Sequence, residues 1–97
     1  MKKLTWTRKA SSQLEKIYLY IENDSPQNAE SVVLTILNKL DDIVGNEEKY
    51  PIDKYRKNNK GDFRAFELFR IRISYQILQD EILIVRIRSA SQKPLNY

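Results

Sequence analysis

Residues 70–90, RIRISYQILQDEILIVRIRSA, decide the fold. Two runs of alternating apolar residues flank the polar break Gln79-Asp80-Glu81, which is the pattern of a β-hairpin. Residues opposed across a hairpin share a face, so Ile71, Ile73, Tyr75 and Ile77 have to meet Leu83, Val85 and Ile87. A three-residue loop over Gln79–Glu81 does this by pairing Ile77 with Leu83, Tyr75 with Val85 and Ile73 with Ile87. A two-residue loop would set Ile73 against Arg86 and Ile71 against Arg88, so the longer loop is expected. The same register places Arg72 opposite Arg88 and Ser74 opposite Arg86, with Arg70 next in the row. Like charges opposed in a ladder are unfavourable. The row therefore reads either as a solvated outer face, with Glu67 as a partner on a neighbouring strand, or as the seat of an anion.

Upstream of the hairpin, Phe63–Leu68 (FRAFEL) forms a further strand. Its facing is open, because Phe63 and Ala65 compete with Phe66 and Leu68 for the core. Before it, residues 46–61 (NEEKYPIDKYRKNNKG) read as a loop in which Lys49, Lys54, Arg56, Lys57 and Lys60 are interleaved with Tyr50 and Tyr55. Cations mixed with aromatics suit a nucleic-acid backbone and stacked bases, although a lysine-rich loop is also what a solvated surface looks like. After Lys49, Asp53 is the only acidic residue in that loop.

The first half of the chain is helical. Thr7 is a candidate N-cap, and Ala10, Leu14, Ile17, Tyr18 and Ile21 fall at spacings of three and four. Asn23-Asp24 stops this helix, and Ser25-Pro26 opens a second as N-cap and first helical residue. Ala29, Val32, Val33, Ile36, Leu40 and Ile43 or Val44 mark its buried stripe, and Gly45 ends it. So short a link makes the two helices an antiparallel pair. Residues 2–6, KKLTW, are a short strand ahead of them. The expected fold is α+β: a short N-terminal strand, then an antiparallel helix hairpin packed on one face of an antiparallel β-sheet, with basic residues on the other face.

Composition narrows the chemistry. The 97 residues make one domain, 1–97. The sequence has no cysteine and no histidine, so disulfides, imidazole acid–base catalysis and the usual zinc sites are excluded; neither metal nor cofactor is expected. No apolar run is long enough to span a membrane and the start carries no signal-peptide pattern, so a cytoplasmic protein is expected. Charge is segregated. Residues 11–48 carry two basic side chains against eight acidic, a net of −6, while the remainder carries fifteen against five, a net of +10. Such a field steers polyanions to one side of the molecule.

The chain resembles the RelE/ParE superfamily of bacterial type II toxin–antitoxin toxins. The likeness rests on the first strand, the helix pair with Ser25-Pro26 and Ala29 at its junction, and Tyr50-Pro51. It continues through Phe63-Arg64-Ala65-Phe66-Glu67, Arg72-Ile73-Ser74-Tyr75, the strand 82–88 and the ending Pro94-Leu95-Asn96-Tyr97. The resemblance implies a growth-inhibiting toxin neutralised by a cognate antitoxin, acting either by cutting messenger RNA on the ribosome or on DNA gyrase. It gives Arg72 the role of a strand arginine that contacts the scissile phosphate, sets Arg64 where RNA-cutting members often have lysine, and matches Tyr97 to a C-terminal tyrosine near the substrate. Ser89 stands where many members carry histidine, and Ser91, with Lys93 nearby, where others carry a second arginine. Cleavage through the 2′-hydroxyl needs a base, a cation and an acid. Arg72, with Arg64 or Arg88, would hold the phosphate; Glu67 is a candidate base or a salt-bridge partner; Tyr97 or Lys93 is left as the acid. Lys54, Lys57, Lys60, Arg70, Arg86, Arg88 and Lys93 are the expected nucleic-acid contacts. The alternative to a toxin is a non-toxic nucleic-acid-binding module using the same basic face.

Overall fold

The computed structural model describes residues 2–89, and the expectations placed on Lys93, Pro94 and Tyr97 lie outside them. The elements are β1 (Lys3–Trp6), α1 (Arg8–Asp24), α2 (Pro26–Ile43), β2 (Phe63–Leu68), β3 (Ile71–Ile77) and β4 (Glu81–Ser89). Thr7 caps α1, its Oγ1 accepting from the Ala10 amide at 3.0 Å. Ser25 serves both helices. Its amide donates to the Ile21 carbonyl to close α1, and its Oγ accepts from the Asn28 amide to open α2. Gly45 comes after the C-cap Val44 with φ of +90°, a conformation that costs a glycine nothing.

The sheet order is β1-β4-β3-β2. β1 runs parallel to β4, from Lys3 beside Glu81 to Trp6 beside Ile84, so the sheet is mixed where an antiparallel one was expected. No tight turn joins β1 to β4 and imposes a direction. The helix after β1 sets it instead: α1 carries on along β4, where Gln13 Oε1 accepts from the Ile87 amide at 2.7 Å.

The β3–β4 hairpin holds a second correction. Next to the turn, Tyr75 faces Ile84, Gln76 faces Leu83 and Ile77 faces Ile82. The Leu78 amide donates to the Glu81 carbonyl, so the loop is the two residues Gln79-Asp80. A β-bulge then inserts one residue, and from Ser74 on the pairing is the expected one: Ser74 with Arg86, Ile73 with Ile87 and Arg72 with Arg88. The short loop does not drive arginines inward because the bulge absorbs the one-residue slip. Near the turn the buried residues of β4 are thus Ile82 and Ile84, while Leu83 and Val85 are only half-buried.

Helix stripe and sheet meet in one core. Ala10, Val32, Ile36, Leu40 and Ile43 pack with Phe66, Ile71, Ile73, Tyr75, Ile82, Ile84 and Ile87. On β2, Phe66 opposes Ile73 and Leu68 opposes Ile71, so these two, not Phe63 and Ala65, take the helix side. The Tyr75 hydroxyl donates to the Glu47 carbonyl at 2.7 Å, and burial pushes its pKa up to about 12. No helix among the described residues is long and apolar enough to cross a membrane.

Candidate functional site

The segment between α2 and β2 wraps around the β2 edge. Tyr50 stacks on Phe66 on the helix side, with ring centroids 4.6 Å apart. Pro51–Asp53 then runs along β2: the Ala65 amide donates to the Pro51 carbonyl and the Asp53 amide to the Phe63 carbonyl. Past that edge the chain lies over the other face of the sheet. Asn59 fastens it, its Nδ2 donating to the Asp53 and Phe63 carbonyls and its Oδ1 accepting from the Gly61 and Phe63 amides. Residues read as open loop are therefore tied down by a side chain that makes four hydrogen bonds.

This wrapping decides the state of Arg72. Its Nη2 donates to Asp53 Oδ1 at 2.8 Å and its Nη1 to Glu67 Oε2 at 3.3 Å. Arg72 is 8% exposed and Asp53 1%. The Tyr55 ring covers the guanidinium, 4.7 Å from Cζ to the ring centroid, and Arg88 Cζ lies 5.7 Å from the same ring. Of the two readings of the arginine row, the solvated face fails at Arg72 in that the residue is buried, while the Glu67 partner that went with that reading is present. Two carboxylates and an aromatic face supply the fold-level reason for an arginine there, which the facing residue Arg88 alone did not. Glu67 is opposite Arg72 in the β2–β3 register and acts as its ion-pair partner.

The expected site residues divide into groups. Arg64 opposes Tyr75 and so lies on the helix side of β2, while Glu67 opposes Arg72 on the other side. Arg64 is occupied there: its Nε donates to the Gly61 carbonyl and its Nη1 to the Tyr50 carbonyl at 3.0 Å. Arg64 and Arg72 are therefore not brought together. Arg86 and Arg88 do share the Arg72 face, both half-buried. Lys54, Lys57 and Lys60 stand exposed on the wrapped segment beside that face. Arg70 is not in the strand row; it occupies the β2–β3 turn with φ of +62°. Tyr97 and Lys93 lie outside the described residues.

Asp53, Tyr55 and Asn59 complete the cluster; the sequence marked Asp53 as the one acid and Tyr55 as an aromatic among the loop cations, but not their place on Arg72, and it gave no sign of Asn59. A single carboxylate in a run of cations, across from an arginine strand, was the available signal for Asp53. Among the described residues no group of three or more His, Cys, Asp or Glu could hold a metal ion. The face offers a buried ion pair, an aromatic ring near two guanidiniums, and a margin of exposed lysines. That arrangement suits an anionic surface. Among the described residues on this face Glu67 and Asp53 are the carboxylates near Arg72, and both are ion-paired with it.

A family model described as ParE toxin of type II toxin-antitoxin system, parDE, matches residues 4–94. Among solved structures, a chromosomal ParDE toxin–antitoxin system from P. aeruginosa superimposes with a TM-score of 0.67 at 26% identity, over 94% of this chain and 98% of that one. A conserved hypothetical protein from Helicobacter pylori, solved in solution, gives a TM-score of 0.49 at 21% identity, over 95% and 98%. Comparison with curated proteins gave no match.

Proposed function

The chain belongs to the ParE toxin family of type II toxin–antitoxin systems, and we propose from that premise that it acts by binding DNA gyrase, without cutting RNA, and is neutralised by a cognate antitoxin. The observation that carries this reading is the engagement of Arg72. A phosphate-contacting arginine has to present its guanidinium to the substrate, and this one is buried against Asp53. Arg64, the second cation expected in a cleavage site, projects from the opposite face of the sheet and holds backbone carbonyls. Glu67 as a general base would have to leave its ion pair with Arg72. A toxin that works by binding needs none of these groups free.

The basic face retains a role in this reading. Lys54, Lys57 and Lys60, with Arg86 and Arg88, form the margin that would meet the phosphate backbone of gyrase-bound DNA. No observation favours a non-toxic nucleic-acid module over the toxin. The test uses the purified toxin in two reactions. One follows gyrase with supercoiled plasmid and reads supercoiling and accumulated DNA breaks. The other follows a reconstituted translation reaction and maps messenger RNA ends. Inhibited gyrase with intact messenger RNA is expected; codon-phased RNA cuts with unaffected gyrase would overturn the proposal.

A further inference from the structure

The turn between β2 and β3 is built from the wrong residues for its shape. Leu68 and Ile71 are paired, leaving Phe69-Arg70 as a two-residue turn, and both have positive φ, 56° and 62°. That geometry strongly favours Asn-Gly, and a bulky aromatic in the left-handed region is a genuine outlier. Burial does not explain the choice, because Phe69 is 53% exposed. The strain holds an aromatic ring out at the tip of a hairpin, and strain of this kind marks sites where a side chain is needed in place.

Phe69 does not stand alone. It borders a groove of about 440 Å³ lined by Lys16, Ile17, Tyr20 and Ile21 of α1 and by Ile71 and Ser89 of the sheet. Tyr20 on the opposite wall is 82% exposed. Two exposed aromatics over an isoleucine floor make an apolar seat of the kind that forms the centre of an interface. Its rim is basic. Lys16, one of two cations in the acidic stretch 11–48, is exposed on the lining, and Arg70 is exposed in the turn between the lining residues Phe69 and Ile71.

We propose that this groove seats an acidic segment of the antitoxin carrying a bulky apolar side chain, with Phe69 and Tyr20 gripping that side chain and Lys16 and Arg70 pairing with the flanking carboxylates. The inference rests on the toxin–antitoxin reading, which supplies the partner; the residues, the groove and its charge supply the chemistry of the segment.

The test separates fold from function, because here the two should move in opposite directions. The double variant F69N/R70G installs the residues that the turn geometry favours, so its melting temperature should rise. Titration of purified antitoxin into this variant should give an affinity lower by about tenfold or more than wild type. Tyr20→Ala and Lys16→Glu, at exposed helix positions, should weaken binding in the same direction while leaving the melting temperature nearly unchanged, and they decide the matter if the double variant misfolds. Binding unchanged in all three variants would overturn this inference alone. Wild type that fails to bind antitoxin would sink the toxin–antitoxin reading together with it. A wild-type dimer that F69N/R70G dissolves would give the groove to a second copy and overturn the proposal.

Discussion

At the scale of single residues, the buried pair of Arg72 and Asp53 makes substitution at Arg72 a stability experiment before it is a functional one. Arg72→Ala leaves Asp53 without its guanidinium in a site 1% exposed and should cost about 3–5 kcal/mol in urea unfolding. The apolar replacement of both, Arg72→Met with Asp53→Leu, should recover most of that loss or exceed wild type. If Arg72→Ala unfolds no more easily than wild type, the ion pair is not what holds the wrapped segment. Arg72 was legible in the sequence as a special position, but its burial was not: its partner is 19 residues away on a segment without regular structure. Tyr75 allows a second measurement. Its folded pKa, raised to about 12 from 10, means that the native state holds its proton more tightly. The stabilising contribution is complete below pH 10 and is lost as pH rises from there to about 12, with a fall of about 2–3 kcal/mol. Tyr75→Phe should flatten that alkaline slope while losing the bond to the Glu47 carbonyl; an unchanged slope would place the titrating group elsewhere.

The elements were read more securely than their joints. Helix α1 and helix α2 emerge from their stripes and from Thr7 and Ser25, because capping and periodicity are local signals. The β3–β4 register failed where it depended on a bulge, since one inserted residue leaves the alternation intact on each side and no local residue announces it. That failure has a measurable form. Ile84 is fully buried beside the turn, whereas Val85, the residue the longer loop would bury, is only half-buried. Ile84→Ala should therefore destabilise by about 2–5 kcal/mol and Val85→Ala by about 1 kcal/mol or less in the same unfolding assay. The reverse order would restore the three-residue loop. The direction of β1 was illegible for a different reason: a four-residue strand has no turn to fix its sense, and the helix after it decides.

For the molecule as a whole, the division between a helix pair in the acidic stretch and a basic remainder was legible by counting, and it sets how partners arrive. Association with the antitoxin should slow steeply as salt is raised from about 0.05 to 0.5 M, because a shorter Debye length removes steering before it removes contact. Stopped-flow rates independent of salt would show that the segregated charge has no part in docking. The parallel pairing of β1 with β4 has a consequence in time. Thr7 at the start of α1 bonds to the Val85 carbonyl 78 residues later, so the first strand and the last described one close the sheet together. During synthesis the helix pair is complete long before β3 and β4 exist, and its stripe of Val32, Ile36, Leu40 and Ile43 has no sheet to rest on. A nascent chain halted before β4 lacks Arg86 and Arg88 of the arginine face and the neighbour of its own first strand. The neighbours on either side of β4, β1 and β3, are thus joined into one sheet in one late step of the chain's own translation.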